Sequence, residues 1–266
     1  MPTLTLTAAG PLQIHTSQGG AHIRLMLDRP KANLISAEMI AALRAALGTV
    51  TGSLSSHVKL LTIEGAGDHF SYGASVEEHM PARIDSVLPA LHALIRDLLA
   101  VPALTAALVR GRCLGGGFEL ALACDFIFAT ETAVLGLPEI ALGVFPPAAA
   151  ALLPARTGTA RAARAIVTGG VLPAPYWRDA GVLEITPGTT NLDDLIEAFF
   201  DEYLAPRSAA ALRHAVWAAR LVQRERVETL LPALEERYLA ELMATHDAVE
   251  GITAFLQKRS PHWTDS

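Results

Sequence analysis

The sequence predicts an α/β fold followed by a region built of helices alone. Short apolar runs of strand length alternate with helical patterns up to about residue 188, and from about residue 189 only helical patterns are found. With 266 residues, of which 51% are hydrophobic, the chain is long enough to bury a substantial core. We therefore expect residues 1–188 to form the core and residues 189–266 to form a helical C-terminal region.

Five apolar runs have the length and composition of β-strands. Several are bordered by glycine or aspartate, which interrupt strands and begin turns. Because helical patterns lie between some of these runs, we expect strands joined by helices in the first two thirds of the chain. The runs cover residues 22–28, 59–65, 104–111, 125–130 and 181–186.

Helical periodicity is clearest in two segments of the core and in three segments near the C-terminus. Ser36 is a suitable N-cap for a helix over residues 36–50, because its hydroxyl can accept a backbone N–H. A second helix is expected over residues 83–100, with Pro89 starting or kinking it. The C-terminal segments cover residues 192–204, 208–223 and 227–259.

The composition argues against several classes of function. A net charge of -6 and a pI near 5.8 disfavour nucleic acid as the principal partner. The longest apolar stretches are short and interrupted by proline, whereas a membrane-spanning helix needs about 20 apolar residues, so we expect no membrane partner. The first residues show no secretory or transit signal, and the expected compartment is therefore the cytoplasm.

Common catalytic and metal-binding motifs are missing from the sequence. The chain has no G-x-S-x-G elbow, no Walker A loop and no G-x-G-x-x-G after a strand, and none of its nine histidines lies three or four residues from another. Cys113 and Cys124 have apolar neighbours, and we expect them to be reduced core residues rather than a disulfide or a metal pair. Metal, nucleotide and serine-hydrolase chemistry are therefore not expected.

Three consecutive glycines, Gly115 to Gly117, connect a predicted strand to a short helix in the stretch "GRCLGGGFELALACD". Backbone N–H groups at such a helix start have no partner within the helix, and the helix dipole favours negative charge there. Glu119 lies in this first turn and gains from the same field. Taken alone, the stretch is more typical of a packing turn followed by an ordinary helix-start glutamate.

Two further stretches combine small residues or a glutamate with a predicted turn or helix start. Gly73 and Ala74 follow the predicted strand that ends near residue 65, and small residues there allow a ligand to approach the backbone closely. Glu139 follows Pro138, twenty residues after Glu119, again at a candidate helix start. Each element by itself is also typical of an ordinary surface turn or helix start.

The order of these elements resembles the crotonase superfamily, the enoyl-CoA hydratase and isomerase fold, over residues 22–260, nearly the whole chain. The resemblance implies an α/β fold in the form of a spiral of β-β-α turns, followed by a helical trimerisation region. It also implies a homotrimer or a hexamer made of two trimers. The matching stretches are "LDRPKAN", "HFSYGAS", "GRCLGGGFELALACD", "GLPEIALG" and "GITAFLQKR".

The resemblance assigns roles to four residues at the reacting end of the substrate. Ala74 and Gly116 would supply the two backbone N–H groups of an oxyanion hole around a thioester carbonyl, which stabilise an enolate without reorganisation. Glu119 and Glu139 match the two catalytic glutamates of the hydratases, which handle the protons of water and carbon. Because family members specialised in isomerisation or hydrolysis often lack one glutamate, the presence of both favours hydration.

Coenzyme A is expected only as part of the thioester substrate, with no separate cofactor. By resemblance, its adenine end would lie near Lys31 and the turn at Gly73, and Phe255 and Lys258 would reach the nucleotide, often from the adjacent subunit. A lysine binds a phosphate as a mobile point charge. For Lys31 and Lys258, simple solvation at the surface is the alternative.

Two departures from the commonest family pattern concern the acyl pocket. Ser75 stands where many hydratases have aspartate, and residues 145–158 replace a glycine-rich stretch with prolines and alanines, which predicts a rigid apolar wall. These two loops look most like those of the cyclohexa-1,5-diene-1-carbonyl-CoA hydratases, which form 6-hydroxycyclohex-1-ene-1-carbonyl-CoA. His79 either lines this pocket or is a partly exposed helix residue.

Two other functions stay open at this point. A general enoyl-CoA hydratase or an enoyl-CoA isomerase would use the same glutamates and oxyanion hole, and it would prefer crotonyl-CoA to a cyclic diene. A non-catalytic CoA-binding or RNA-associated member of the superfamily would bind acyl-CoA without turnover. The pair of glutamates and the acidic pI argue against this last class.

Overall fold

The computed structural model describes residues 4–6, 10–29, 31–52, 56–186 and 191–266. Within these ranges the chain forms ten β-strands and ten α-helices, and the strands belong to the first two thirds of the sequence. The α/β prediction with helices towards the C-terminus is thereby confirmed. The predicted boundary between residues 188 and 189 lies outside the described residues.

The strands are numbered in chain order. The first five are β1 (Leu4–Leu6), β2 (Leu12–Ser17), β3 (His22–Leu27), β4 (Leu60–Gly65) and β5 (Leu104–Val109). The remaining five are β6 (Arg112–Leu114), β7 (Phe126–Ala129), β8 (Val134–Gly136), β9 (Val171–Pro173) and β10 (Glu184–Ile185).

The helices are numbered in the same way. The first six are α1 (Ala37–Thr51), α2 (Pro81–Ala100), α3 (Gly116–Leu122), α4 (Pro147–Thr157), α5 (Thr159–Thr168) and α6 (Ala174–Asp179). The last four are α7 (Leu192–Phe199), α8 (Ala209–Ala219), α9 (Leu221–Glu236) and α10 (His246–Leu256).

Seven of the described strands form one sheet in the order β1-β2-β3-β4-β5-β7-β10. The pairs from β1 to β3 are antiparallel, and all pairs from β3 to β10 are parallel. The five strands predicted from the sequence are the five members of this parallel part. Parallel strands are buried on both faces and read as continuous apolar runs, which is why the sequence revealed them.

A second, smaller sheet explains the spiral character of the fold. It has the order β6-β8-β9, and β6 and β8 are parallel. Since β5 pairs with β7 in the large sheet while β6 pairs with β8 in the small one, successive turns of the chain each add one strand to both sheets. Bridges between Ser71 and Cys113, and between Ile35 and Ala74, extend this stacking to the earlier turns. The family's β-β-α spiral is therefore present.

Helices cover the large sheet and close the core. Ser36 caps α1 as predicted, because its side chain accepts the N–H of Met39. Pro89 lies inside α2, not at its start. Trp177 is fully buried, stacks edge-on against Phe118 at 5.0 Å between ring centroids, and donates its indole N–H to a backbone carbonyl.

The C-terminal helices pack onto this core, with α9 against both α2 and α4. Arg220, between α8 and α9, is almost completely buried and binds the carboxylate of Asp125 at 2.5 Å. The segment 227–259 is not one continuous helix: α9 ends in a π-helical turn over residues 237–241, and α10 begins only at His246. Within the part of the chain described here, no helix is long and apolar enough to cross a membrane.

Candidate active site

The two glycine turns singled out in the sequence lie next to each other at the start of α3. The segment around Gly73 runs beside the segment around Gly115, so that a Cβ on Gly73 would lie 3.0 Å from the carbonyl oxygen of Leu114. Ser71 fixes the first turn, because its hydroxyl donates to the carbonyl of Asn33 at 2.7 Å and accepts the N–H of Gly73 at 3.1 Å. Stacking of successive spiral turns thus brings together segments that are distant in sequence.

Ala74 and Gly116 face each other across this junction. A Cβ built on Gly116 would lie 3.3 Å from both the backbone nitrogen and the Cβ of Ala74. Gly116 is the first residue of α3, so its N–H has no acceptor within the helix. Among the residues the structure describes, neither this N–H nor that of Ala74 has a hydrogen-bond acceptor. Two backbone N–H groups without an acceptor therefore lie at the same junction.

The surrounding glycines are required by close approach. Gly115 has a φ of 49°, and a Cβ there would lie 2.7 Å from an Oε1 oxygen of Glu139. A Cβ on Gly117 would lie 2.6 Å from the Cβ of Ser71. A larger residue at either position would push the glutamate away or separate the two turns.

Glu119 lies in the first turn of α3 and is almost completely buried, with 3% of its surface exposed. Its Oε1 accepts the N–H of Ala149 at 2.9 Å. Ala149 belongs to the first turn of α4, where N–H groups lack helical partners and the helix dipole favours a carboxylate. The prolines Pro146 and Pro147 start this helix in the way proline commonly does. The proline–alanine stretch thus holds Glu119 in place.

Glu139 lies in a 3₁₀ turn over residues 138–142, directly after β8. Its Oε2 is buried and is one of few buried side-chain atoms in the described residues without a hydrogen-bond partner. A buried carboxyl oxygen without a partner is costly, and such atoms call for an explanation such as a ligand. The free oxygen is consistent with a group kept for substrate.

Burial changes the acidity of both glutamates. It raises the pKa of Glu119 to about 7, an effect partly opposed by the N–H groups of Ala148 and Ala149. Burial and then the charge of Glu119 raise the pKa of Glu139 to about 8. The hydrogen-bonded Glu119 is the better place for a negative charge, so the singly protonated pair carries its proton on Glu139. Near neutral pH the site therefore holds one base and one acid.

A small cavity of about 70 Å³ opens onto Glu139 and Ala74, whereas Glu119 and Gly116 lie behind its lining. Its walls include Ala74, Glu139 and His79, together with Gly73, Gly115, Tyr72, Pro138 and the apolar side chains of Val76, Leu142, Val144 and Ile252. The Nδ1 of His79 donates a hydrogen bond to the carbonyl oxygen of Ser75 at 2.8 Å. Burial lowers the pKa of His79, so this histidine lines the cavity as a neutral ring. His79 therefore meets both interpretations, because it lines the cavity and is also a half-buried residue at the end of a 3₁₀ helix over residues 76–79.

An open groove of about 370 Å³ adjoins this cavity and shares Tyr72, Val76, Pro138 and Leu142 with it. Phe255 and Arg259 line its far end. Apolar side chains and prolines form most of its lining. In the described residues, no group of three or more histidine, cysteine, aspartate or glutamate side chains is arranged to hold a metal ion.

Of the four residues predicted to bind coenzyme A, two line the cavity or the groove and two do not. Gly73 lines the cavity, and Phe255, which is 55% exposed, lines the groove from the same chain. Lys31 is exposed and adjoins Ala32, whose carbonyl accepts the N–H of Tyr72 at 2.8 Å. Lys258 is exposed and follows α10, and the cation that lines the groove is its neighbour Arg259.

Two parts of the site were not found from the sequence. Tyr238, in the π-helical turn after α9, is buried near both glutamates, although no local pattern around it signals a site. The alanines of α4 form a buried helix start beneath Glu119, whereas the sequence suggested a wall of the acyl pocket. Both features depend on packing between segments far apart in the chain.

Comparison with known proteins shows the family to which the chain belongs. The sequence profile of the enoyl-CoA hydratase/isomerase family matches residues 17–266. The chain is 44% identical over 256 residues to the cyclohexa-1,5-dienecarbonyl-CoA hydratase of Thauera aromatica, covering 96% of this chain and 98% of that protein. It is 32% identical to the 2,3-dehydroadipyl-CoA hydratase of Escherichia coli K12, covering 89% and 92% of the two chains.

Solved structures show the same fold. The crystal structure of an enoyl-CoA hydratase from Mycobacterium avium subsp. paratuberculosis superposes with a TM-score of 0.81 at 27% identity, covering 97% of this chain and all of that one. A TM-score this high over nearly the full length means that the spiral core and the C-terminal helices follow the same path. The protein belongs to the enoyl-CoA hydratase/isomerase family, also called the crotonase family.

Proposed function

We propose that this hydro-lyase adds water to a conjugated cyclic dienoyl-CoA, converting cyclohexa-1,5-diene-1-carbonyl-CoA to 6-hydroxycyclohex-1-ene-1-carbonyl-CoA. The observation that carries the proposal is the site itself: the buried Glu119 and the half-buried Glu139, both of raised pKa, beside two backbone N–H groups without an acceptor. The choice of a ring substrate is supported by the 44% identity to the Thauera hydratase and by the apolar lining of the cavity.

The N–H groups of Ala74 and Gly116 receive the thioester oxygen. Attack of water on the β-carbon moves negative charge onto this oxygen, and two donors already directed at it stabilise the resulting dienolate. No side chain needs to move for this, because both donors belong to backbone fixed by the Ser71 hydrogen bonds and by the start of α3.

The glutamates handle the two protons. Glu119, ionised and held by Ala149, takes a proton from the attacking water, while the protonated Glu139 gives its proton to carbon. On the cyclic diene, the hydroxyl adds to the β-carbon and the proton is delivered to the γ-carbon at the far end of the conjugated system. The remaining double bond shifts between them, so that one water is added and no redox change occurs.

Substrate binding and assembly complete the proposal. The pantetheine arm lies in the groove between Tyr72 and Phe255, and Lys31 and Lys258 contribute positive charge near the nucleotide. The chain assembles as a homotrimer or as a hexamer of two trimers, consistent with the large exposed side chains of Trp217, Leu221 and Val222 on its C-terminal helices. Light scattering of the purified protein measures this assembly.

The substrate is tested by offering the purified enzyme cyclohexa-1,5-diene-1-carbonyl-CoA and crotonyl-CoA side by side, with products resolved by mass. We expect one water to be added to the ring at a kcat/KM at least tenfold above that for crotonyl-CoA. Glu119→Gln is the matched inactive control, since losing an essential base costs on the order of 10²-fold or more.

A general enoyl-CoA hydratase is the second candidate, favoured by the relatives that act on open-chain substrates, such as the 2,3-dehydroadipyl-CoA hydratase. Preference for crotonyl-CoA in the same assay would establish it and reject the ring substrate. Binding of both thioesters without turnover, unchanged by Glu119→Gln, would instead indicate a non-catalytic CoA-binding protein.

A further inference from the structure

Buried polar atoms without partners concentrate at one place in this protein. Among the described residues three such side-chain atoms are found, on His92, Glu139 and Tyr238. Glu139 belongs to the site already described. Tyr238 lies close enough to Glu119 and Glu139 for both carboxyl groups to interact electrostatically with its hydroxyl. Two of the three unsatisfied atoms therefore belong to the same region.

Packing does not explain why residue 238 is a tyrosine. The side chain is 1% exposed and stacks edge-on against Phe145 at 5.4 Å between ring centroids. It belongs to an apolar cluster with Val144 and Ile252, which also line the cavity beside Glu139. A phenylalanine would make the same contacts without burying an unpaired hydroxyl, which lowers stability. Since the hydroxyl has no hydrogen-bond partner among the described residues, it calls for a role other than packing.

The hydroxyl is suited to donate a hydrogen bond. Burial, followed by the charges of Glu119 and Glu139, raises the pKa of Tyr238, so the phenol stays neutral throughout the working range. A neutral phenol offers one O–H donor. Its backbone position, in the π-helical turn over residues 237–241, fits the frequent use of such turns at functional sites.

We infer that the Tyr238 hydroxyl donates a hydrogen bond to the oxygen atom that is added to the substrate, first as water and then as the product hydroxyl. This inference rests on the proposed hydration. In that reaction Glu119 accepts a proton from the water and the Glu139 proton goes to carbon, so neither glutamate is left to donate to the oxygen. Tyr238 fills that role and makes the C-terminal helical region part of the active site.

The test is Tyr238→Phe, which keeps the ring and its contact with Phe145 and removes only the hydroxyl. We expect kcat to fall about tenfold, the loss of one hydrogen bond, with KM within about twofold of the wild-type value. The thermal midpoint should stay the same or rise, because an unpaired buried hydroxyl has been removed. Tyr176→Phe, at a tyrosine stacked on Trp177, is the matched control and should retain wild-type kinetics.

A kcat within about twofold of wild type would overturn the inference, as would a clear fall of the thermal midpoint, which would make the hydroxyl structural. If the wild type prefers crotonyl-CoA, the proposed ring substrate fails, and the same comparison is made on crotonyl-CoA. If it hydrates neither thioester, calorimetry compares 3-hydroxybutyryl-CoA with butyryl-CoA. We then expect about tenfold tighter binding of the hydroxylated ligand, lost in Tyr238→Phe; an unchanged ratio would reject the role of Tyr238.

Discussion

Replacing Gly116 by alanine tests the oxyanion hole without unfolding the protein. The added methyl group would lie 3.3 Å from the nitrogen and from the Cβ of Ala74, at the junction of the two turns. This contact is tight by a few tenths of an ångström, and the φ of Gly116 is not positive, so the backbone accepts alanine without strain. In the proposed mechanism the thioester oxygen binds beside Ala74, so the methyl group would compete with it for this space.

The expected magnitudes separate activity from stability. Alanine at the start of α3 gains up to about 1 kcal/mol of helix propensity over glycine, which offsets the tight contact with Ala74, so the net change in unfolding free energy should stay within about 1 kcal/mol. Alanine keeps the backbone N–H, but its methyl group would keep the thioester oxygen away from it, and losing one oxyanion hydrogen bond costs about 10²- to 10³-fold in kcat, or about 3–4 kcal/mol of transition-state stabilisation. Gly116→Ala should therefore be folded and nearly inactive.

The assay measures hydration of the thioester by chromatography and unfolding by calorimetry on the same preparation. Gly48→Ala is the control, because Gly48 lies exposed inside α1 with nothing within 4 Å of an added Cβ. It should gain about 0.5–1 kcal/mol of stability and keep full activity. If Gly116→Ala turned over at the wild-type rate, the thioester oxygen would not bind between Ala74 and Gly116.

Three further results are expected. The pH profile of kcat/KM should be a narrow bell, falling below about pH 7 as Glu119 becomes protonated and above about pH 8 as Glu139 ionises; a flat profile from pH 6 to 9 would contradict these roles. Because the folded-state pKa of Glu139 lies above its unfolded value, the wild type loses stability as pH rises through about 8, and Glu139→Gln should remove that loss. The gap in thermal midpoint between the two proteins should then widen from pH 5 to pH 8.5, and a constant gap would refute the raised pKa. Arg220→Met should cost about 3–5 kcal/mol in urea unfolding, because it leaves Asp125 without its buried partner, whereas the exposed Arg207→Met should change stability by less than about 0.5 kcal/mol; similar losses for both would exclude the ion pair as the cause.

The part of the fold that the sequence revealed is the part in which local pattern and tertiary role agree. The strand β4 is buried on both faces and therefore reads as a continuous apolar run, and Ser36 has the N-cap role that its position suggested. The three-residue strands β6, β8 and β9 are too short to produce a pattern of their own. They are specified by stacking of spiral turns, which no local window contains.

The candidate site likewise contains residues that a local sequence pattern revealed and residues that only long-range packing brings together. Gly115 to Gly117 and Glu119 are close in sequence, so their turn and helix start could be recognised together. The N–H of Ala149 that holds Glu119 and the hydroxyl of Tyr238 come from α4 and from the end of α9, and only long-range packing brings them to the glutamates. For the same reason the alanines after Pro147 were interpreted as a pocket wall, whereas the structure buries them in a helix.

The central claim is that Glu119 and Glu139 add water to a conjugated ring thioester at this site. Its most direct test is turnover of cyclohexa-1,5-diene-1-carbonyl-CoA in ¹⁸O-labelled water, followed by mass spectrometry of the product. We predict that the wild type forms a product heavier by one labelled water, with the label in the ring hydroxyl, and that Glu119→Gln does not. Unchanged substrate with the wild type, or equal labelling by the variant, would contradict the account.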